Sequence, residues 1–384
     1  SMPDHLYVGL MSGTSADGID AALVRCGSDG DDSIELLATR ALPLADELKA
    51  EIATLSHTGP NEIERLGVLD RELGEAFAGA VNALLAEAEQ SPNDVRAIGS
   101  HGQTLRHRPP SAGNTSAFTL QAGDPNTIAE RTGITVVADF RRRDIAAGGE
   151  GAPLAPAFHA AAFASADHRR AIVNIGGISN ATLLDGKTLV GGYDTGPGNT
   201  LLDYWVLRHE GKRFDQDGAW SAEGDVSEPL LAAMLSEEYF ALDGPRSTGK
   251  EAFNPAWLDR HLAAFPDAEP RNVQATLAEL TARCIADAIQ AAPIDIDEVY
   301  VCGGGASNTD LMRRLYRCLE GKLLTDTSAL GISADWVEAV AFAWLAHQTM
   351  EGLAGNAPAV TGASGLRVLG GIYPAGTPGA DKTE

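Results

Sequence analysis

The segment of this chain with the most chemical content is GGYDTGPGNTLLDYW, residues 191–205. Asp194 reads as the end of a short extended stretch, followed by a turn of Thr195, Gly196, Pro197 and Gly198 and then a helix entered near Asn199. A carboxylate placed there can take a proton from a bound hydroxyl or water. It can equally cap the helix, although Asn199 and Thr200 are also suited to capping. The unpaired N–H groups of that helix would face the same place.

A second group of residues suits an anion. In LYVGLMSGTSADGIDAALV (6–24) an apolar strand stops at Ser12, Gly13, Thr14, Ser15, Ala16, Asp17 and Gly18, and another leaves through Ile19 and Asp20. Backbone N–H groups can converge on phosphate in such a turn, with Thr14 and Ser15 as neutral donors. A plain β-hairpin with a polar tip would carry the same residue types. The turn has no Lys and leads into a strand, which argues against a P-loop. The segment GPRSTGK (244–250) has P-loop spacing, but Glu251 follows it and the helical-looking EEYFALD precedes it. It reads as a loop with Lys250 available to a ligand.

Two further stretches follow strands. GSHGQTLRH (99–107) presents His101, Gln103 and Thr104 together. His101 is either a hydrogen-bonded, half-buried side chain or a substrate contact, and its spacing from His107 does not indicate a metal pair. No metal site is assigned. VVADFRRRDIAAGGEGAPLAP (136–156) sets Asp139, Arg141 and Glu150 beside Gly148, Gly149 and Gly151. An Arg at a strand end can hold a carboxylate or phosphate through two parallel hydrogen bonds. Three adjacent Arg cannot all point one way, so at least one belongs to the surface.

These residues need positioning elements. Strands are expected at 34–42, 95–100 and 135–140, and a long helix opens with a capping-box-like Asn61-Glu62-Ile63-Glu64 and runs towards Glu89. AIVNIGGISNATLL (171–184) repeats the opening pattern of strand, Gly-rich turn and strand, which suggests a duplicated fold. Helices are expected at 198–209, 274–291 and 336–350, and EVYVCGGG (298–305) reads as a strand running into a helix begun at Asn308. The alternation is that of an α/β protein.

At 384 residues two lobes are expected, 1–168 and 169–384, with room for the C-terminal helix to cross back and a frayed tail from about 375. The net charge of −24 disfavours nucleic acid and anionic membranes as partners. Four dispersed cysteines without a CxxC pair fit a reduced, cytoplasmic chain.

Taken in order, MSGTSADGID, GSHGQT, ADFRRRDIAAGGEGAP, NIGGISN, DTGPGN, DGAW, RSTGKE and VCGGGASN resemble the anhydro-N-acetylmuramic acid kinases of the sugar kinase, Hsp70 and actin superfamily. The resemblance implies a duplicated actin-like (ribonuclease H-like) ATPase fold, with two lobes around a nucleotide cleft. It implies that Gly13 to Asp20 form a first phosphate loop for ATP, and Gly176, Gly177 and Asn180 a second. Gly303, Gly304, Gly305 and Asn308 would lie beside adenosine, and Asp194 would be the catalytic base. His101, Gln103, Thr104, Asp139, Arg141, Glu150, Gly196 and Asn199 are the expected sugar contacts, with Arg141 first choice for a lactyl carboxylate. Mg²⁺ would be held through water by Asp17 or Asp20. The implied reaction in cell-wall recycling converts 1,6-anhydro-N-acetylmuramic acid, ATP and water to N-acetylmuramic acid 6-phosphate and ADP, in a homodimer. The alternatives are a simple amino-sugar hydroxyl kinase and a nucleotide-gated binding protein of the same fold.

Overall fold

The computed structural model describes residues 5–13, 17–27, 30–113, 116–237 and 252–376. The loop residues Thr14, Ser15 and Ala16, and Lys250, lie outside them. Two compact units form, one from 1–162 with 336–384 and one from 163–335. The expected boundary at 168/169 therefore differs from the division at 162/163, and the C-terminal segment from 336 clusters with the first unit.

In the first unit, β1 (His5–Met11) is buried from Tyr7 to Leu10 because it is paired on both edges. It runs antiparallel to β2 (Gly18–Cys26), which in turn runs antiparallel to β3 (Ile34–Pro43). On its other edge it is parallel to β4 (Val95–Ser100). β5 (Gln103–Arg108) and β6 (Phe118–Ala122) form a separate antiparallel pair. β7 (Val136–Ala138) lies parallel to β4, and a last short strand, Gly371–Tyr373, pairs antiparallel with β7. The sheet order is thus β3-β2-β1-β4-β7, extended by 371–373.

Helices cover this sheet. Leu69, Leu73, Phe77, Val81 and Leu84 of the helix Glu62–Glu87 pack with Val8, Leu10, Ile19 and Leu23. The helix Val337–Met350 is apolar around most of its circumference and packs on β1, β2 and β4. It comes so close that a Cβ at Gly9 would sit 1.8 Å from the Ala339 carbonyl oxygen, and one at Gly99 would sit 2.0 Å from that of Phe342. That close fit is why the C-terminal segment belongs to the first unit.

The second unit repeats the plan. β8 (Arg169–Ile175) and β9 (Ile178–Asp185) form a hairpin, β10 (Thr188–Pro197) pairs antiparallel with β9, and β11 (Glu298–Cys302) and β12 (Leu323–Asp326) continue in parallel beside β8. The order β10-β9-β8-β11-β12 matches β3-β2-β1-β4-β7 in sequence and in every strand direction. Its core joins Val173, Ile175 and Val301 to Ile285, Ile289, Leu311 and Leu315. A neighbouring core gathers Trp205, Met234, Trp257 and Leu277. Duplication of an α/β sheet, expected from the two Gly-rich hairpins, is therefore present.

Some local expectations change. Asn61 occupies the N-cap position but makes no side-chain cap bond, so the capping box does not form. Instead Glu62 accepts from the Gly59 N–H at 2.9 Å and pairs with Arg106. The expected strand 135–140 is only Val136–Ala138, because Asp139 turns the chain into the left-handed region at φ 59°.

Candidate active site

In the second unit, Asp194 is half-buried in β10, opposite Asn180 of β9. The strand does not stop there: Thr195, Gly196 and Pro197 remain in it, with a register shift between Asp194 and Gly196 that re-aims the backbone. This corrects the expected turn after Asp194. The helix begins at Thr200 with Asn199 at the N-cap position, so Asp194 is not its cap. Asn199 makes no cap bond either, since its Nδ2 donates to the Ile175 carbonyl at 3.2 Å.

The N–H groups of Gly198, Asn199 and Thr200 donate to the carbonyls of Gly177, Gly176 and Gly177, at 3.0, 2.8 and 3.2 Å. They are therefore not free for a ligand, contrary to the sequence expectation. What they do is fasten the turn between β8 and β9 to the end of β10, which brings Gly176, Gly177, Asn180, Asp194, Gly196 and Asn199 together. The 303–308 segment joins the same place. Gly304 approaches the Asn199 side chain, and Gly303 follows β11 at φ 82°. Gly304–Ser307 forms a short 3₁₀ turn, and Asn308 caps the helix Thr309–Cys318 by accepting from Leu311 N–H at 2.9 Å. Beneath it, buried Asp310 receives bonds from Ser221 Oγ at 2.7 Å and from Arg314 Nε at 2.8 Å, so the loop has a rigid seat.

In the first unit, the residues flanking the undescribed loop positions are braced by side chains. Ser12 Oγ donates to Gln103 Oε1 at 2.5 Å, and Gln103 Nε2 donates to the Gly13 carbonyl at 3.2 Å. Gln103 thus holds the turn. Asp17 is exposed, and Asp20 is half-buried at the start of β2.

His101 and Arg141 form the centre of a second cluster. His101 Nδ1 lies 2.7 Å from the Gly102 carbonyl, which makes it the protonated nitrogen. Nε2 then accepts from Arg141, whose Nε and Nη2 lie 3.2 and 3.0 Å away. Burial, reinforced by the Arg141 charge, pushes the His101 pKa down to about 3, so the ring stays neutral. Its edge packs on Phe342, with centroids 4.8 Å apart.

Burial also lowers Arg141, to about 10, against the raising effect of Glu338 and Asp144. Arg141 Nη1 donates to the Gly151 carbonyl at 3.0 Å. Asp144, fully buried, receives Gly151 N–H at 2.8 Å, Asn356 Nδ2 at 2.9 Å and Thr361 Oγ1 at 2.8 Å. Arg141 is therefore held from two sides, through three of its five N–H donors. Arg142 and Arg143 are exposed, as expected of at least one member of the triplet. Thr104 accepts from Gln121 Nε2 at 3.2 Å, and Glu150 accepts from Ser111 N–H at 3.3 Å.

Beside this cluster a cavity of about 400 Å³ opens at the C-terminal ends of β4 and β7. His101, Asp139 and Arg142 belong to its wall, and Arg142 Nε lies 3.6 Å from Asp139 Oδ1. Ligands of open α/β sheets sit at such strand ends. Sequence reasoning missed Asp70, Ser100 and Tyr373 in the wall, and Asp144, Asn356 and Thr361 behind Arg141. Asp144 stood inside the ADFRRRDIAAGG motif and was legible there; Asn356 and Thr361 are brought in only by the tertiary fold.

Strand-end carboxylates, Gly-rich loops and a buried guanidinium on a duplicated α/β sheet are the equipment of a phosphotransferase. The anhydro-N-acetylmuramic acid kinase family profile matches residues 5–375, and the chain belongs to that family. It is 50% identical to the anhydro-N-acetylmuramic acid kinase of Pseudomonas putida (strain KT2440) over 370 residues, covering 96% of this chain and 99% of that one. It is also 50% identical to that of Shewanella loihica (strain PV-4) over 375 residues, 97% of this chain and all of the relative. Among solved structures it is similar to a 2-hydroxyisocaproyl-CoA dehydratase activator from Clostridium difficile with bound ADPNP, at TM-score 0.46 and 14% identity, covering 90% of this chain and 96% of that one.

Proposed function

We propose that this chain uses ATP and water to open 1,6-anhydro-N-acetylmuramic acid and phosphorylate its O6, giving N-acetylmuramic acid 6-phosphate and ADP. The observation that carries the reading is Asp194, a half-buried carboxylate on β10 that is not a helix cap, in a chain whose relatives match it end to end. Asp194 takes a proton from the water that attacks C1. The C1–O6 bond breaks as the new C1–O bond forms, and O6 leaves with its electron pair. O6 then attacks the γ-phosphorus in line and ADP departs. Because phosphorus receives the leaving oxygen, no second carboxyl group is needed as its acid, in contrast to an ordinary inverting glycosidase.

The Gly13–Asp20 turn and Gly176, Gly177, Asn180, Gly303, Gly304, Gly305 and Asn308 are assigned to ATP. The backbone bonds between 176–177 and 198–200 support that assignment by holding Gly176, Gly177 and Asn180 at the same place as Asp194. Among the described residues no cluster of three His, Cys, Asp or Glu side chains suited to a metal forms. Asp17, exposed, or Asp20, half-buried at the start of β2, would hold a hydrated Mg²⁺ ion through water, carboxylate oxygen being the donor that suits it. When bound, Mg²⁺ neutralises charge on the β and γ phosphates. The sugar is assigned to His101, Gln103, Thr104, Asp139, Arg141, Glu150, Gly196 and Asn199, with Arg141 directed at its carboxylate. We place the enzyme in the cytoplasm as a homodimer that binds neither nucleic acid nor membrane.

Turnover in ¹⁸O-labelled water tests the coupled reaction. The label is expected at C1 of the product. Product without label, or phosphorylation of the open sugar alone, would replace this reading with a simple hydroxyl kinase.

A further inference from the structure

The helix Thr309–Cys318 opens with a carboxylate in an unusual place. Acidic side chains in a first turn ordinarily face water and complement the helix dipole, yet Asp310 is 2% exposed. Its Oδ2 accepts from Ser221 Oγ at 2.7 Å and from Arg314 Nε at 2.8 Å, and its Oδ1 accepts from Arg313 Nη2 at 3.2 Å. Arg314 is buried too. Its Nη2 donates to the Ser221 carbonyl at 3.3 Å, and its Nη1 lies 3.6 Å from Glu279 Oε1. A buried ion pair gains little stability over apolar side chains of similar volume, so its worth here lies in the geometry it imposes.

The pair joins two segments that are far apart in the chain. Ser221 closes the turn 215–221, in which Asp215 Oδ1 and Oδ2 accept from the N–H groups of Trp220 and Ser221 at 2.9 and 3.0 Å. Ser221 Oγ also lies 3.0 Å from the Gly218 carbonyl, so the hydroxyl touches both the turn and Asp310. Asp217 and Gly218 follow one another in the left-handed region, at φ 58° and 65°. That shape sets the Gly218 backbone directly against Asn308: a Cβ at Gly218 would lie 2.1 Å from Asn308 Oδ1 and 2.7 Å from Asp310 Cβ. Asn308 in turn donates its N–H to the Gly305 carbonyl at 3.0 Å. It is thus held between the Gly-rich loop and the turn, and the Ser221–Asp310–Arg314 link keeps the two together.

We propose that Asp310 is a positioning residue for the nucleotide: through Ser221 it holds the 215–221 turn against Asn308, and so fixes the Gly303–Asn308 loop in the form that receives adenosine. Buried as it is, Asp310 reaches no ligand and acts through the loop alone. The inference rests on the assignment of that loop to ATP above, and adds to it a second segment and the charged link that sets it.

Calorimetric ATP binding and steady-state kinetics, run beside thermal melts, test the proposal. Ser221→Ala cuts the link but leaves Asp310 and Arg314 paired. It should raise Kd and KM for ATP about 10-fold, the scale of one hydrogen bond to a charged group, with kcat and KM for the sugar within about 2-fold of wild type. Asp310→Asn should weaken ATP at least as much and lower Tm as well, since Arg314 then keeps only Glu279 as a charged partner. In the double variant the affinity for ATP should match that of Asp310→Asn alone, because both changes break one link. A purely structural role would lower Tm and the amount of active enzyme while ATP affinity stayed unchanged. The proposal is overturned if Ser221→Ala binds ATP as the wild-type chain does, if it weakens the sugar equally, or if its effect adds in full to that of Asp310→Asn. Should Asp310→Asn fail to fold, Ser221→Ala decides alone. Failure of the functional reading shows separately, as absence of phosphoryl transfer to the anhydro-sugar by a wild-type chain whose ATP affinity still falls in Ser221→Ala.

Discussion

The two hairpins that head the two sheets share strand order and direction but differ in what holds their turns. The β1–β2 turn is fastened by side chains: Ser12 and the Gly13 carbonyl both bond to Gln103. The β8–β9 turn is fastened by main chain, with three successive N–H groups from 198–200 on the carbonyls of Gly176 and Gly177. A side-chain brace can be removed one group at a time. A main-chain brace can be broken only by changing the shape of the backbone, and there a glycine is the vulnerable point.

The largest asymmetry expected is catalytic. Asp194→Asn in the second unit should lower kcat by about 10³-fold, the usual scale for losing a positioned base, while ATP affinity stays within about 2-fold. Asp139→Asn in the first unit keeps side-chain size and should cost about 10-fold or less, chiefly in KM for the sugar. Single-turnover rates with binding isotherms check both. Equal losses in the two variants would remove Asp194 from its assigned role.

The braces come next. A Cβ at Gly198 would lie 2.3 Å from the Gly176 carbonyl oxygen and 3.0 Å from the Ile178 carbonyl carbon, so Gly198→Ala must displace backbone. Such overpacking costs roughly 1–3 kcal/mol, and KM for ATP should rise on the order of 30-fold. Gln103→Ala leaves Ser12 Oγ without its acceptor and should raise KM for ATP by about 10-fold or less. The comparison breaks if Gln103→Ala proves the more damaging of the two.

How much of this was legible depended on whether a feature is local. The hairpins, the parallel strands β4 and β11 and the helices 62–87 and 337–350 follow from apolar runs and their ends, and the sequence placed them within a few residues. The positions of Gly176, Asp194 and Gly303 near one another follow from the duplicated strand order. Asp194 was read before a turn because Gly196 and Pro197 disfavour strands, yet β10 is an edge strand where both are tolerated. Arg141 was read as an open carboxylate clamp because nothing local reveals that His101 and Gly151 occupy three of its donors. Ser221 and Asp310 looked unremarkable, since the bond between them joins positions 89 residues apart and exists only in three dimensions.

The buried brace behind Arg141 gives a smaller effect confined to the first unit. Asp144→Asn places an NH₂ among groups that donate to the carboxylate, from Gly151, Asn356 and Thr361. Leaving one buried donor unpaired costs about 1–3 kcal/mol. Tm should fall and KM for the sugar should rise about 10-fold, while KM for ATP stays unchanged. Thr361→Val removes one of the three bonds and should act in the same direction, more weakly. An unchanged sugar KM with a lowered Tm would leave Asp144 a purely structural residue.

Acidification should separate the units with the gentlest slope. His101 and His159, both in the first unit, are held neutral by burial with pKa values pushed down to about 3. Unfolded, each titrates near about 6.5. Between those values the unfolded chain binds the extra proton, so stability falls as pH falls, by up to about 1.4 kcal/mol per pH unit for each histidine. His107 and His347, also lowered by burial, act in the same direction in the same unit. In the second unit His209 is lowered too, and it is exposed. The carboxylates held below their usual range, Glu62, Glu75, Asp124, Glu298 and Glu351, contribute their losses at lower pH, as they approach protonation. From pH 6 to 5, amide hydrogen exchange should therefore accelerate first in β1, β4 and the helix Val337–Met350, with β8 and β11 following at lower pH. His101→Gln, whose carbonyl can still accept from Arg141, should remove about half of the combined His101 and His159 contribution to the slope. An exchange order led by the second unit would show that burial of these histidines does not govern acid stability.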